Sequence, residues 1–374
     1  MREFFFLALL TGYIHLLSEQ FSAEVPVQII STLTDDDVVQ GIQQTFEQNL
    51  FQLPPRIQGH YGIRLYRLTG EDKYLHAALY DYFAVADQLN AILPYINNPG
   101  HIKTLSKSLA TKLSKNERGK ARSQTLGKYP DFIFYADALL RYASRLDEFG
   151  VRVPDKVLKV LSCYDFKSAL TNKAMIHAWA AQLANYAYWL KQLGIADYVE
   201  ATRLAFLAAY PDEDDTKLSK WEYNNKLYGL THYVLAASGY YQHSLEKEEF
   251  NWALNYFVNN LQRIFATASA DIIAEIGISF LLTGQGNHEL VAQAKDKIIR
   301  SYDNDHGMIP SVNGKFDLAT GEHRNVLALM LLSWPNCLYP GPYFHQIKSL
   351  SQYLPKSPSH WLATESPLKQ DSKN

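Results

Sequence analysis

Long stretches of the chain place apolar residues at helical period, and several open on a polar cluster before turning dry. Six such runs stand out. They are HYGIRLYRL from His60, DFIFYADALLRYASRL from Asp131, KAMIHAWAAQLANYAYWL from Lys173, NNKLYGLTHYVLAAS from Asn224, DIIAEIGISFLL from Asp271 and EHRNVLALMLLSW from Glu322. The last five starts are 42–51 residues apart, the length of one helical hairpin. Each run is followed by a turn and a second helix of mixed apolar and charged positions, as in EDKYLHAALYDYFAVADQL, ADYVEATRLAFLAAY, KEEFNWALNYFVNNLQRI and HELVAQAKDKIIRSY. That pattern predicts an outer layer with one wet face, the drier runs forming an inner layer. The turns TGEDKYL, LGIADYV and TGQGNHEL each place Gly where a left-handed helix cap is expected, before an acidic or amide segment that suits the next helix start. Strand signals are few, and GMIPSVNGKFDLATG at 307–321 is the best candidate for a small irregular hairpin.

The expected class is therefore all-α. The hairpin spacing, the TGEDKYL-type turns and the polar inner starts resemble the (α/α)6 toroid superfamily over roughly residues 55–355. The resemblance implies inner helices running parallel around an axis, with their starts ringing one end of a central cavity. An open α-solenoid uses the same hairpins and is the alternative. The organisation expected along the chain is a signal peptide at 1–23, an extension at 24–54, one domain at 55–355 and a disordered tail at 356–374. The domain carries an insertion at 95–128, whose stretch from 101 to 128 has eight Lys or Arg against one Glu. It reads as a solvated, mobile loop or as a basic rim attracting a polyanion.

Composition narrows the function only a little. Apolar residues make up 47% and charged residues 20% of 374, ordinary for a folded protein, and the net charge of −2 favours no nucleic acid. Tyrosine is abundant, 25 against 18 Phe and 6 Trp. Its ring and hydroxyl suit half-wet helix interfaces, or a surface on which sugars stack. Cys163 and Cys337 are too few for a disulfide framework and are expected as buried free thiols, with pairing open if the chain is exported. The start MREFFFLALLTGYIHLLSEQ has one basic residue and a short apolar run, which reads as a secretory signal rather than a membrane span, giving an exported protein with no stable span after cleavage. There is no GxxxxGK phosphate loop and no GxSxG elbow.

Candidate chemistry collects at the inner starts. Asn225, Tyr228 and His232 share one helical face, with Asn224 placed as a cap. His60 and Arg64 share a face in the first run, Asp131 opens the second, and His177 lies one turn into the third. Asp271 and Glu275 are four apart in an apolar helix. An unpaired buried Glu275 would suit a general acid, and the plainer reading is an ion pair with a neighbouring helix. Glu322, His323, Arg324 and Asn325 open the sixth run, and Arg324 is suited to bind a carboxylate. No cofactor is expected. The one metal reading joins Asp303, Asp305 and His306 to Glu322 and His323, against a plain turn followed by a helix start. Each residue also has a structural reading, as a cap, an interface ring or a satisfied core histidine.

The stretch NNKLYGLTHYVLAASGYYQHSLEKEEFNWALNYF is similar to the segment of toroidal alginate lyases that carries Asn-Asn-His-x-Tyr, followed by a helix with Phe-x-Trp-Ala. In that family an Asn or Arg neutralises the uronate carboxylate, while His and Tyr move protons. The likeness implies substrate binding by Asn225 and an aromatic role for Tyr228. Lys226 stands where the family has its histidine, so the catalytic part does not carry over. GEHRN and its flanks resemble an uncharacterised bacterial family known only as a domain of unknown function, which implies no activity. The functional expectation is a polysaccharide-active envelope protein. As a lyase, Asn225 and Arg324 would neutralise a uronate while His232, His177 or Tyr228 transfer protons. As a hydrolase it would use two carboxylates among Asp131, Glu275 and Glu322. The alternatives are a glycan- or peptide-binding module and a helical scaffold.

Overall fold

The computed structural model describes residues 33–347, and both the signal expected at 1–23 and the tail at 356–374 lie outside the described residues. What is described is helical from end to end. No strand occurs among the described residues; the 307–321 segment supplies turns, and only the isolated bridge Asp303–Met308 is ladder-like. No helix of the described residues is long and apolar enough to cross a membrane.

Helix α1 (Asp35–Asn49) precedes the hairpins. Hairpin one is α2 (Pro55–Thr69) and α3 (Leu75–Ile92). The basic segment follows as α4 (Pro99–Thr111) and α5 (Glu117–Lys128), so it is two helices rather than a loop. Asn98 and Asn116 cap them through their side chains, which is why this polar sequence is ordered locally. The second inner run is a π-helical segment, Phe134–Leu140, continuing into α6 (Arg141–Glu148). Then come α7 (Asp155–Ser162), α8 (Phe166–Leu170), α9 (Lys173–Gln192), α10 (Val199–Ala209), α11 (Lys220–Ala237), α12 (Lys247–Asn259), α13 (Leu261–Thr267), α14 (Ala270–Leu282), α15 (Glu289–Ile299) and α16 (Leu318–Leu332).

The division into drier and wetter helices holds. Ten of the thirteen residues of α14 are buried, whereas α15 buries only Leu290, Val291, Ala294 and Ile298. The expected glycine caps are present: Gly70, Gly194 and Gly284 have φ of 70°, 66° and 71°, a region costly for any residue with a Cβ. Within hairpin one the helices approach so closely that a Cβ on Gly62 would sit 2.6 Å from Ala77 Cβ.

The long helices pack in chain order, α9 on α11, α11 on α14 and α14 on α16, and α16 then packs on α2. The π-helical segment and α6 both contact α9, and α6 also contacts α3. Helix α1 buries Val38, Ile42 and Phe46 and packs on α16 and α15, so residues 35–49, expected in an extension, belong to the helical body. The segment after α16 crosses the far ends of α2 and α6: Tyr339 N donates to Arg67 O at 2.9 Å, Arg67 Nε donates to Gly341 O at 2.8 Å, and Phe344 stacks on Phe149 at 4.8 Å. Cys163 and Cys337 are free as expected, but exposed rather than buried.

Candidate functional site

Two adjoining cavities open between α2, α6 and α16. The outer one, about 600 Å³, is lined by Arg56, His60, Asp87, Arg141, Tyr142, Glu322 and His323 among others. The inner one, about 170 Å³, adds Arg64, Arg67, Arg145, Glu148, His232 and Tyr240 and shares Arg56, His60, Arg141 and His323 with the first. Together they have the size of a small-ligand site. Their polar lining comes from the length of α2 and of α6, the second turn of α16, the last turns of α3, and His232 of α11.

The centre is a chain of histidines and carboxylates. His60 Nδ1 lies 2.8 Å from Glu322 Oε1, and the His60 and His323 rings are 5.2 Å apart. His323 Nε2 is 3.5 Å and His232 Nε2 3.7 Å from the same Glu275 oxygen, Oε1. Thr231 Oγ1 donates to the other, Oε2, at 2.7 Å. His232 Nδ1 meets Asn185 Oδ1 at 3.0 Å and Tyr240 Oη at 3.2 Å. Glu275 is therefore paired with histidines, not with the Arg or Lys expected of an ion pair. Glu275 and Glu322 are each 1% exposed.

Burial separates the protonation states. It pushes His60 well below the ordinary histidine range, with Arg64 and His323 adding repulsion. It pushes Glu322 up to about 7, against the pull of Arg64 and His323. His232 is also lowered, by burial first, with Glu275 opposing. His323 moves the other way: burial works against its charge, but the hydrogen bond and charge of Glu275, helped by Asp271, raise it. Near neutral pH the site thus holds neutral His60 and His232 beside a histidine that favours its proton.

The arginines are held in place by acids. Asp81, 1% exposed on α3, binds Arg56 Nε at 2.9 Å and Arg145 Nε at 3.3 Å through its two oxygens. Glu148 takes Arg145 at 2.6 Å and Arg67 at 3.5 Å, and Asp137 takes Arg141 at 3.4 Å. Arg64 lies 5.6 Å above the Tyr241 ring. Tyr240 and Tyr241 both have positive φ, 56° and 76°, which is costly for an aromatic residue and is held by surrounding contacts. Arg67 Nη1 donates to the carbonyls of Gly239 and Tyr240, which fixes that turn.

Of the residues singled out from sequence, His60, Arg64, His232, Glu275, Glu322 and His323 come together here. Tyr228 and Asp271 stand just behind, hydrogen-bonded to each other. Burial opposes the charge on Asp271, but His323 and hydrogen bonds from Ser269 and Tyr228 hold its carboxyl below the usual range.

The others are elsewhere. Asn225 is buried, and its Nδ2 donates to His177 O and Tyr210 Oη, both at 2.9 Å, clamping α11 to α9. His177 packs its ring on Tyr210 at 4.5 Å and lines neither cavity. Lys226 is buried between Asp212 and Asp215, each at 2.7 Å. The Asn225 amide and the Lys226 ammonium are thus taken up by packing contacts. The cap of α11 is Ser219 in a capping box with Glu222, rather than Asn224. Asp131 lines a separate cavity with Tyr135 and Cys163. Arg324 Nε donates to Ile309 O at 3.0 Å, and Asn325 receives Ile309 N at 2.7 Å; both fasten the 307–310 turn to α16. Asp303 pairs with His306 in an exposed turn while Glu322 pairs with His60, so the two acidic segments do not join. No group of three or more His, Cys, Asp or Glu among the described residues is arranged to hold a metal ion.

Sequence reading missed Arg56, Arg141, Arg145 and Tyr240. Arg141 and Arg145 stand four apart within DFIFYADALLRYASRL, a spacing that was visible but is shared by solvated helix faces.

Residues 35–360 match the family described as Domain of unknown function (DUF3541), and the chain belongs to that family. No curated protein and no solved structure matches it.

Proposed function

We propose that the protein is an exported enzyme that cleaves a uronate-containing polysaccharide by elimination, in the arginine-lined cavity between α2, α6 and α16. The observation that carries the reading is the pairing of a neutral-favouring His60 on Glu322 with a proton-favouring His323 whose ring is 5.2 Å away. A closed six-hairpin toroid is the architecture that goes with it, supported by the packing of α16 on α2.

Arg56 and Arg141 line both cavities and suit the substrate carboxylate, whose neutralisation acidifies the neighbouring C–H. His60, oriented through Nδ1 by Glu322, accepts that proton at Nε2, and Glu322 stabilises the imidazolium that forms. The C–H electrons become the ring double bond, the C4–O bond breaks, and His323 delivers a proton to the departing oxygen. Tyr240 and Asn185 orient His232, and Thr231 orients Glu275, behind the reacting pair.

The test is incubation of the purified chain with a panel of uronate polysaccharides while following ultraviolet absorbance of the unsaturated product. A rising signal that is lost in His60→Ala and Arg141→Ala supports the reading. A flat signal on every polymer overturns it. One observation favours a second reading, a non-catalytic anion-binding module: Arg56, Arg141 and Arg145 already have carboxylate partners, which lowers the field a substrate would meet. A flat signal with retained, Arg141-dependent binding supports that reading.

A further inference from the structure

A fourth cavity, about 460 Å³, lies between the start of α5 and the start of α11. Its lining includes Arg118, Lys220, Trp221, Asn224, Tyr228 and Val312. We propose that it is a distal subsite for an acidic sugar unit of the same polymer, an inference that rests on the elimination reading above.

Its composition differs from that of a packing defect. Trp221 and Tyr228 are half-buried and offer aromatic surface, on which the C–H face of a sugar ring packs. Arg118 and Lys220 supply two cations for a carboxylate, against the single anion Glu117. Asn224 lines the cavity, and its Oδ1 accepts no hydrogen bond from the protein, so a small side-chain rotation offers it to a ligand hydroxyl.

The wall that carries Arg118 is held rigid. One turn further along α5, Arg122 donates to Ala178 O at 3.0 Å and to Gln182 Oε1 at 2.5 Å. Its guanidinium lies 4.5 Å over the Trp179 ring, and Trp179 Nε1 donates back to Thr125 Oγ1 at 3.0 Å. Four residues is one helical turn, so this anchor presents Arg118 on the same face, toward the cavity it lines. The basic insertion thus acts as a fixed wall.

The cavity is also connected to the chemistry. Tyr228 lines it and hydrogen-bonds Asp271, whose charge acts on His323 in the arginine cavity. On this proposal one polymer occupies both cavities, with the Tyr228–Asp271 pair between them, and a disaccharide reaches only one.

The experiment is calorimetric binding of dimers and hexamers of galacturonate and of mannuronate to the intact chain and to Trp221→Ala, Arg118→Ala and Arg141→Ala. Trp221→Ala is expected to weaken hexamer binding about tenfold and to leave the dimer unchanged. Arg118→Ala, at a half-exposed helix start where folding is not at risk, is expected to do the same. Unchanged hexamer binding in both variants, with loss in Arg141→Ala, overturns the subsite and leaves the elimination reading standing. Loss in Trp221→Ala and Arg118→Ala but not in Arg141→Ala keeps the subsite and removes the arginine cavity as the place of binding. Absence of binding by either oligomer to the intact chain overturns both.

Discussion

His60 Nδ1 on α2 lies 2.8 Å from Glu322 Oε1 on α16, across 262 residues of chain. Helices α2 and α16 meet there, and α1 also packs on α16. One contact therefore joins the first hairpin to the last long helix and supplies the base of the proposed reaction. A buried carboxylate and a neutral imidazole can share that place because one proton serves both.

The pair has a definite effect on stability against pH. Glu322 is raised from 4.5 to about 7, so its contribution is fully present below 4.5 and is lost as pH rises through 7. His60 is depressed, so its contribution is present above 6.5 and is lost as pH falls below it. Urea unfolding of wild type and Glu322→Gln, measured from pH 4.5 to 8, isolates the first of these. The stability of wild type relative to the variant is expected to fall between 4.5 and about 7 and then level off. A difference that is flat in pH sinks the assignment of the raised carboxyl to Glu322.

Asp81 offers a structural test of the arginine wall. It is buried on α3 with one oxygen on Arg56 and the other on Arg145. Removing one partner of a buried charge cluster leaves the rest uncompensated, at about 3–5 kcal/mol. Asp81→Ala is expected to lower the stability by that order in denaturant titration. An effect below about 1 kcal/mol would mean that both arginines are solvated without it.

The helical periods, glycine caps and hairpin order were legible because each depends on residues close in sequence. TGEDKYL carries its cap in Gly70, and the alternation in HELVAQAKDKIIRSY carries its wet face. The site was legible by half. His60, His232, Glu275 and Glu322 were visible as polar residues on otherwise apolar faces. What sequence could not supply was which polar groups spend themselves on packing. Asn225 and Asn325 look like ligand-binding amides, and both are consumed by carbonyls or an N–H of neighbouring segments. Arg141 and Arg145 look solvated, yet both line the cavity: Arg145 reaches inward to buried Asp81 and Glu148, and Arg141 pairs with Asp137 one turn back. The left-handed pair Tyr240–Tyr241 is held partly by its own neighbourhood, through Leu235 O and Ser238 Oγ, and partly by the distant Arg67, whose contacts with the Gly239 and Tyr240 carbonyls no local pattern announces.

Lys226 separates packing from chemistry on α11. It is buried between Asp212 and Asp215, and Tyr256 Oη donates to the same Asp215 at 2.5 Å. Lys226→Met leaves Asp215 buried without its cation and is expected to cost about 3–5 kcal/mol, read as a lower midpoint of thermal unfolding. Measured below that midpoint, activity or anion binding per folded molecule is expected to be unchanged. A large fall in turnover with little loss of stability would return the start of α11 to the catalytic role its sequence suggested.

Proton transfer between His60 and His323 predicts the pH profile of the reaction. His60 is a competent base when Glu322 is ionised, so kcat/KM should rise as pH passes about 7. His323 must carry its proton to protonate the departing oxygen, and Glu275 raises it above the ordinary histidine range, so the rate should fall again on the alkaline side. The expected profile is a bell whose acid limb is centred at about 7. Glu322→Gln should remove the acid limb and lower kcat by about a hundredfold or more, the usual size of a lost acid–base contribution. His323→Gln should remove the alkaline limb, with KM less affected than kcat, because the proton it gives is needed only in the transition state. A wild-type profile that keeps rising through alkaline pH would exclude His323 as the acid, and an acid limb that survives in Glu322→Gln would exclude the dyad as the base.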